Sequence, residues 1–232
     1  MAFTSKDVMA LREKTGVGMM DCKKALAESD GDMEKAIDYL REKGLAKQAK
    51  KASRVAAEGM AYATVDYDKK VGVVVEVNSE TDFAAKSDKF VEFVKEIADV
   101  IINENPADVD ALLATNVNGQ TVADLLRDKV MVIGENLSIR RFVRYEGDCV
   151  AYVHGGGRIG VLVKFEADAA ASGSEALIEC GKDIAMQIAA LNAPYLDEAS
   201  VPAEVVEHEK DMQLREIKND PKNANKPEAV LE

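Results

Sequence analysis

Apolar residues recur every three or four positions through residues 1–45, and this spacing predicts three short amphipathic helices. Thr4 or Ser5 is placed to cap the first helix. The TGVG segment (15–18) breaks the helical pattern, and the third helix is expected to stop at Gly44. Together the helices predict a small bundle. The expected inward positions are Val8, Leu11 and Met9 in the first helix, Met19, Cys22 or Lys23, and Leu26 in the second, and Met33, Ala36, Ile37 and Leu40 in the third.

After residue 58 the pattern changes to alternation and to continuous apolar runs. Residues 59–78 are typical of two strands joined by a tight turn, and an amphipathic helix is predicted from Ser87 to Asn103, ended by Pro106. The remaining predicted elements are a helix at 121–135, a strand at 137–147, a second strand–turn–strand unit at 147–167 and a charged helix at 201–220.

Part of this pattern occurs twice. Residues 71–75 align with residues 159–163, and the helical segment 95–101 aligns with 182–188. Two copies of hairpin plus helix predict an α+β fold with a duplicated core, in which each helix packs on its own antiparallel sheet. The predicted domains are a three-helix bundle at 1–45, a basic linker at 46–57, core subdomains at 58–145 and 146–200, and an incomplete helical hairpin at 201–232.

The composition indicates the cellular compartment in which the protein is expected. None of the apolar runs approaches the roughly 20 residues of a membrane span, and the N-terminus lacks the apolar stretch of a secretory signal. Cys22, Cys149 and Cys180 are odd in number and far apart, which fits reduced thiols in a cytoplasm. We therefore expect a cytoplasmic protein without a zinc site.

Charge is spread unevenly along the chain. The formal net charge is −12, yet residues 1–54 carry 12 Lys and Arg against 9 Asp and Glu. An acidic chain is a poor ligand for phosphate backbones, so RNA binding through the basic segment 46–54 is the weakest alternative. A solvated helical linker explains that segment better. An acidic protein surface is the expected partner of the first segment.

The only glycine-rich motif offers two enzymatic interpretations, and both fail. HGGGRIG (154–160) contains GxGxxG, but a β-type run follows it where a dinucleotide site needs a helix N-terminus. HGGG also occurs in esterases, which need a GxSxG motif that this chain lacks. A glycine-rich hairpin turn with His154 at its tip is the better interpretation. We expect no catalytic residue, no metal site and no cofactor.

The segment NSETDF (78–83) places a large aromatic residue at a strand-to-helix corner. Phe83 could fold back on its own helix near Phe90 as a hydrophobic staple, or it could project outward as a contact residue. Asp82 suits a helix N-cap or a first-turn acid that complements the helix dipole. The residues alone leave these alternatives open.

Four segments in order resemble the bacterial elongation factor Ts family: TGVGMMDCKKAL (15–26), NSETDFAAKSDKF (78–90), IGENLSIRR (133–141) and HGGGRIGVLV (154–163). The resemblance implies an N-terminal domain of the ubiquitin-associated (UBA) type, a linker, a two-part α+β core and an inserted helical hairpin. It also implies guanine-nucleotide exchange on elongation factor Tu, with release of GDP. The chain is expected to stop inside the hairpin, before the family's C-terminal part.

The resemblance also implies which residues touch the partner. Thr81, Asp82 and Phe83 match the joint that intrudes near the partner's magnesium site, where the phenylalanine enters a pocket between two helices. The further matching positions are Lys23, expected at the partner's nucleotide-binding domain, Ile133 and Gly134 in a contact segment, and His154 toward the partner's other domains.

Simpler explanations exist for some of these positions, and one other function competes. Lys23 could be an ordinary solvated lysine, and Gly134 could be a helix C-cap. The alternative function is an adaptor that binds a small protein through the TGVG loop (15–18) of a UBA-like bundle, with the core as scaffold. A homodimer through the hairpin or the core is left open by the sequence.

Overall fold

The structure is a computed structural model that describes residues 3–51 and 53–220. Its contacts form two compact units, residues 1–190 and residues 191–232. In chain order the elements of the described residues are α1 Ser5–Thr15, α2 Met19–Glu28, α3 Met33–Lys51, β1 Glu58–Asp66, β2 Val71–Ser79, α4 Asp82–Ala85, α5 Asp88–Glu104, α6 Val109–Ala114, β3 Asn116–Val117, β4 Gln120–Thr121, α7 Val122–Ile133, β5 Ser138–Glu146, β6 Asp148–His154, β7 Ile159–Phe165, α8 Glu175–Leu191, a 3-10 turn Glu198–Ser200, and α9 Ala203–Asn219.

The N-terminal residues form the predicted three helices. Thr4 caps α1 in a reciprocal capping box with Asp7, and α1 ends where Gly16 adopts a positive φ of 68°. Met9 and Met19 were expected to face inward, but both side chains are exposed, so this part of the prediction is wrong. The buried core of the bundle is instead made by Val8, Leu11, Val17, Cys22, Ala25, Leu26, Ala36 and Leu40.

The predicted end of the third helix at Gly44 is also wrong, because α3 continues to Lys51. Gly44 is buried, and a β-carbon there would lie 3.3 Å from Met131 and 3.4 Å from Arg127, both on α7. The glycine thus permits close packing of α3 on α7. Met131 also packs against the core of the bundle, so the bundle and α7 share apolar contacts. The predicted linker therefore begins inside a helix.

The first half of the core is a three-stranded antiparallel sheet in the order β1-β2-β5. The helix predicted from Ser87 is α5, which Ser87 caps and which ends at Asn105 in the left-handed conformation. Its apolar positions are fully buried against the valines of β2, as the pattern predicts. These buried α5 residues are Phe90, Phe93, Val94, Ile97, Ala98 and Ile101.

The second half repeats the hairpin and the helix, which confirms the duplicated α+β core. Strands β6 and β7 pair antiparallel, and α8 has the same length of 17 residues as α5. Gly181 of α8 lies so near this hairpin that a β-carbon would fall 2.5 Å from Val150 and 3.0 Å from Phe165. Gly160 of β7 also lies close to β1, with a β-carbon 2.8 Å from the carbonyl oxygen of Ala61. The Ala61 N–H of β1 donates to the Gly157 carbonyl at 2.8 Å, which joins the two sheets.

Two short elements between α5 and α7 were not predicted. Helix α6 is capped by Asp108, whose carboxylate accepts the Ala111 N–H at 2.8 Å, and Leu112 of α6 is fully buried. A two-residue hairpin, β3–β4, follows it. Neither is long enough to show a helical or strand period in the sequence.

In the second unit, α9 matches the charged helix predicted at 201–220. The second arm of the predicted hairpin, from residue 222, lies outside the described residues. Across residues 3–51 and 53–220, no helix combines the length and apolar character that a bilayer crossing requires. The five-part domain division stays a prediction.

Candidate functional site

The NSETDF segment forms a corner between β2 and α5, and residues 79–85 are called the corner below. Strand β2 ends at Ser79, Thr81 caps the one-turn helix α4, and Ser87 then caps α5. The Thr81 hydroxyl accepts the Ala84 N–H at 3.2 Å, which makes Thr81 the N-cap. Ala84 and Ala85 take the inward positions of α4 and are buried. The first two residues of α4, Asp82 and Phe83, are left on the outside.

Phe83 is the most informative side chain of the corner, because it is 84% exposed. The staple alternative required this ring to pack near Phe90, but Phe90 is fully buried while Phe83 is not. The staple interpretation is therefore wrong. A large exposed ring on ordered backbone is unfavourable in water, and burying it in another molecule would yield roughly 1.5–3 kcal/mol. The geometry suits insertion into a partner.

Asp82 stands beside the ring as a first-turn acid and not as the N-cap. Lys86 donates to its carboxylate at 2.7 Å, and this hydrogen bond lowers the pKa of Asp82 below its usual range. The pair lies on the surface, so it contributes little to stability. Asp82 would be ionised at neutral pH in any case, so the effect of the pair is to hold this carboxylate against the Lys86 ammonium.

A second segment, residues 133–136 with the sequence IGEN, lies directly against the corner and is called the IGEN loop. Glu135 accepts the backbone N–H of Glu80 at 3.1 Å and that of Thr81 at 3.0 Å. The Thr81 hydroxyl also donates to Glu135, at 2.6 Å. In return, Glu80 accepts the backbone N–H of Asn136 at 2.6 Å. Each segment thus supplies a carboxylate to the backbone of the other.

The end of the linker joins the same network. Arg54 pairs with Glu80 at 3.4 Å, and the Asn136 side chain donates to the Arg54 carbonyl at 2.9 Å. Lys51 donates to the carbonyl of Gly134. The Asn136 N–H and the Arg54 guanidinium both lower the pKa of Glu80. The linker therefore is more than a solvated spacer, because its last basic residues contact the site.

The corner and the IGEN loop, two of the segments predicted to touch a partner, therefore lie side by side. Ile133 is partly buried against the main core, and Gly134 is the exposed C-cap of α7 with a φ of 87°. The cap explanation of Gly134 is confirmed, and a contact role for it stays a prediction. Nothing in the sequence pattern indicates Glu80, Glu135 and Asn136 as site residues, since only the fold shows that β2 and α7 end side by side.

The other two predicted residues lie on different elements. Lys23 is an exposed residue of α2, in the N-terminal bundle. His154 is exposed at the end of β6, where its Nδ1 lies 2.9 Å from the Tyr152 hydroxyl. Gly155, Gly156 and Gly157 all adopt positive φ, as the hairpin-turn interpretation requires. A strand follows this turn, which contradicts the dinucleotide-site interpretation.

In residues 3–51 and 53–220, no group of three or more His, Cys, Asp and Glu side chains is arranged to hold a metal ion. The distinctive features are an exposed ring, a tip histidine and a network of hydrogen bonds that fixes two loops. These are features of a protein-binding surface.

Comparison with known proteins identifies the family. A family profile described as elongation factor TS matches residues 80–232, which include the corner from Glu80 onward, the IGEN loop and the glycine turn. The chain belongs to the elongation factor Ts family. It is 47% identical over 239 residues to elongation factor Ts of Trichlorobacter lovleyi, an alignment that covers all of this chain and 76% of the relative.

Other elongation factor Ts proteins give the same result. The protein of Ruegeria pomeroyi is 50% identical over 238 residues, with 100% of this chain and 76% of the relative covered. That of Clostridium perfringens strain SM101 is 47% identical over 233 residues, with 99% and 75% covered. These alignments include the N-terminal bundle, which lies outside the family-profile match. The chain is accordingly a translation elongation factor of the Ts type.

Proposed function

We propose that this protein is a guanine-nucleotide exchange factor that binds elongation factor Tu and releases its GDP. The observation that carries this proposal is the 84% exposed Phe83, presented at a corner that Glu135 and Thr81 hold by hydrogen bonds. The ring is available for insertion, and the backbone beneath it is fixed. Membership in the elongation factor Ts family supports elongation factor Tu as the partner.

The proposed mechanism is displacement at the partner's magnesium and nucleotide site. Phe83 enters a pocket between two helices of the partner, while Thr81 and Asp82 approach the metal-binding region. Mg²⁺ requires near-octahedral oxygen ligands at about 2.0–2.1 Å, so a small shift of a ligand loop weakens its binding greatly. Because binding linkage is reciprocal, a protein that prefers the nucleotide-free partner lowers nucleotide affinity by the same factor. No catalytic side chain of this chain is needed.

The proposed interface also includes the remaining predicted contacts. Lys23 would contact the nucleotide-binding domain of elongation factor Tu, Ile133 and Gly134 would lie beside the inserted ring, and His154 would reach the other domains. Both the GDP-bound and the nucleotide-free partner would bind, in the cytoplasm and without direct contact to nucleic acid. A homodimer through the hairpin or the core remains a hypothesis.

The experiment that tests this function follows labelled GDP as it leaves elongation factor Tu in a stopped-flow instrument. With excess unlabelled nucleotide present, the full chain should accelerate release in proportion to its concentration until saturation. Release that stays at the spontaneous rate, although the two proteins bind, would contradict exchange activity.

The adaptor alternative rests on one specific observation: Met20, just after the TGVG loop, is 74% exposed. Exposed methionines are common on surfaces that bind other proteins. An adaptor would depend on this loop and not on Phe83.

Replacement of Gly18 by aspartate separates the two functions. A β-carbon at Gly18 meets nothing within 4 Å, and aspartate is a good N-cap for α2, so we expect the bundle to stay folded. An exchange factor with Phe83 intact should keep most of its maximal stimulated GDP release at saturating concentration. Complete loss of partner binding by Gly18→Asp, with an unchanged Tm, would favour the adaptor.

A further inference from the structure

The Glu135 carboxylate reaches three donors of the corner. Its Oε2 accepts the N–H of Glu80 and the N–H of Thr81, at 3.1 and 3.0 Å, and its Oε1 accepts the Thr81 hydroxyl at 2.6 Å. A carboxylate that accepts several hydrogen bonds fixes the position of its donors more tightly than water can. Here the donors are the two residues immediately before the helix that carries Phe83.

The Thr81 hydroxyl relays this contact to α4. A hydroxyl has one proton to donate and lone pairs to accept with, and Thr81 uses both. Its proton points to Glu135, and its oxygen accepts the Ala84 N–H at 3.2 Å as the N-cap. The direction of this chain of hydrogen bonds is therefore set by Glu135. Helix α4 has only four residues, too few to hold its own shape without such a cap.

We propose that Glu135 is a positioning residue for nucleotide exchange, one that acts through Thr81 on the orientation of Phe83. The inference rests on the proposed function, since it assigns a cause to the presentation of the inserted ring. Glu135 itself need not touch the partner. Glu135 acts in the free protein. Because the corner is already ordered there, less conformational entropy is lost when the partner binds.

Loss of the Glu135 carboxylate is expected to reduce the rate of exchange more than the stability of the fold. Glu80 is half-buried and Thr81 is exposed, so water should solvate their N–H groups if Glu135 is removed, and Tm should change little. The corner then samples orientations in which Phe83 does not meet its pocket. We expect Glu135→Ala to lower the maximal stimulated GDP release by about tenfold, because the fraction of molecules with a competent corner falls.

Four variants test the inference in the stopped-flow assay: Glu135→Ala, Glu135→Gln, Phe83→Ala and the double variant of Glu135→Ala with Phe83→Ala. Glutamine keeps one acceptor oxygen, so Glu135→Gln should retain more activity than Glu135→Ala. Glu92→Ala is the matched control, since Glu92 is an exposed glutamate on α5. It should behave as the unmodified protein.

The double variant gives the decisive result, because it shows whether Glu135 acts through the ring. If it does, Glu135→Ala should cause no further loss once Phe83 is absent, as expected for two residues in one pathway. A full additional tenfold loss in the double variant would overturn the inference, because Glu135 would then act elsewhere. Unchanged exchange in Glu135→Ala, with exchange lost in Phe83→Ala, would also overturn it and leave the proposed function intact.

Two further outcomes distinguish a failure of this inference from loss of folding and from a failure of the proposed function. Should Glu135→Ala unfold at the assay temperature, Thr81→Val would take its place, since valine removes the hydroxyl relay and leaves both backbone N–H contacts. Thr81→Val should reproduce the loss, and normal exchange in that variant would overturn the relay. If Phe83→Ala itself promotes GDP release normally, the proposed insertion of the ring fails and the inference fails with it, whereas exchange activity is contradicted only by release at the spontaneous rate.

Discussion

Replacement of Phe83 by alanine is expected to lower stimulated GDP release by roughly 10- to 100-fold. The estimate follows from the loss of about 1.5–3 kcal/mol of burial in the partner, with about 1.4 kcal/mol for each factor of ten. The ring is 84% exposed in the free protein, so its removal should shift Tm by no more than about 1–2 °C. Stopped-flow release of labelled GDP and a thermal melt of the same samples measure both effects.

Two controls distinguish a specific insertion from a general loss of apolar surface. Phe83→Leu keeps much of the apolar volume and should retain part of the activity. Tyr67→Ala removes another exposed aromatic ring, 50% exposed in the β1–β2 turn, and should leave exchange unchanged. Equal losses in Phe83→Ala and Tyr67→Ala would show that the corner has no special role.

Replacement of Phe93 by alanine is expected to lower the stability of the protein strongly and to leave GDP release by the folded protein almost unchanged. Phe93 lies ten residues after Phe83 but is fully buried in the core, with the Lys129 ammonium 5.8 Å from its ring centre. Phe→Ala changes at such sites cost roughly 3–5 kcal/mol, because a cavity remains after the ring is removed. For a domain of this size we expect Tm to fall by roughly 6–20 °C.

At low temperature, where Phe93→Ala is still folded, its stimulated GDP release should be close to that of the unmodified protein. Chemical denaturation gives the loss of stability, and stopped-flow measurement below the transition gives the exchange rate. A strong loss of exchange in the folded Phe93 variant would mean that the core, and not the corner, controls activity. The two phenylalanines thus separate folding from function.

The sequence pattern predicted the long elements well, and it failed where packing overrides local preference. The apolar period from Phe90 to Ile101 predicted α5 correctly, because every position of that period is buried. Gly44 was expected to end a helix, since glycine is a common C-cap. Its actual role, to let α3 approach Met131 of α7, depends on a contact far away in the sequence.

The candidate site was predictable only in part, for a similar reason. The corner was evident from a strand pattern that gives way to a helix, and the family resemblance pointed to Thr81, Asp82 and Phe83. Periodicity could not decide whether Phe83 turns inward, because the decision rests on Ala84 and Ala85 filling the inward positions of a four-residue helix. Glu135 gave no signal at all, since its contacts join residues 54 and 55 positions apart.

The central claim is that Phe83 acts on the partner's magnesium site, and the magnesium dependence of exchange tests it most directly. GDP release from elongation factor Tu is measured with the unmodified chain and with Phe83→Ala, first with millimolar Mg²⁺ and then with EDTA. We predict that the large difference between the two proteins in Mg²⁺ shrinks toward none in EDTA, where the metal is already gone. An equally large difference in EDTA would contradict the account, because the ring would then act independently of the metal.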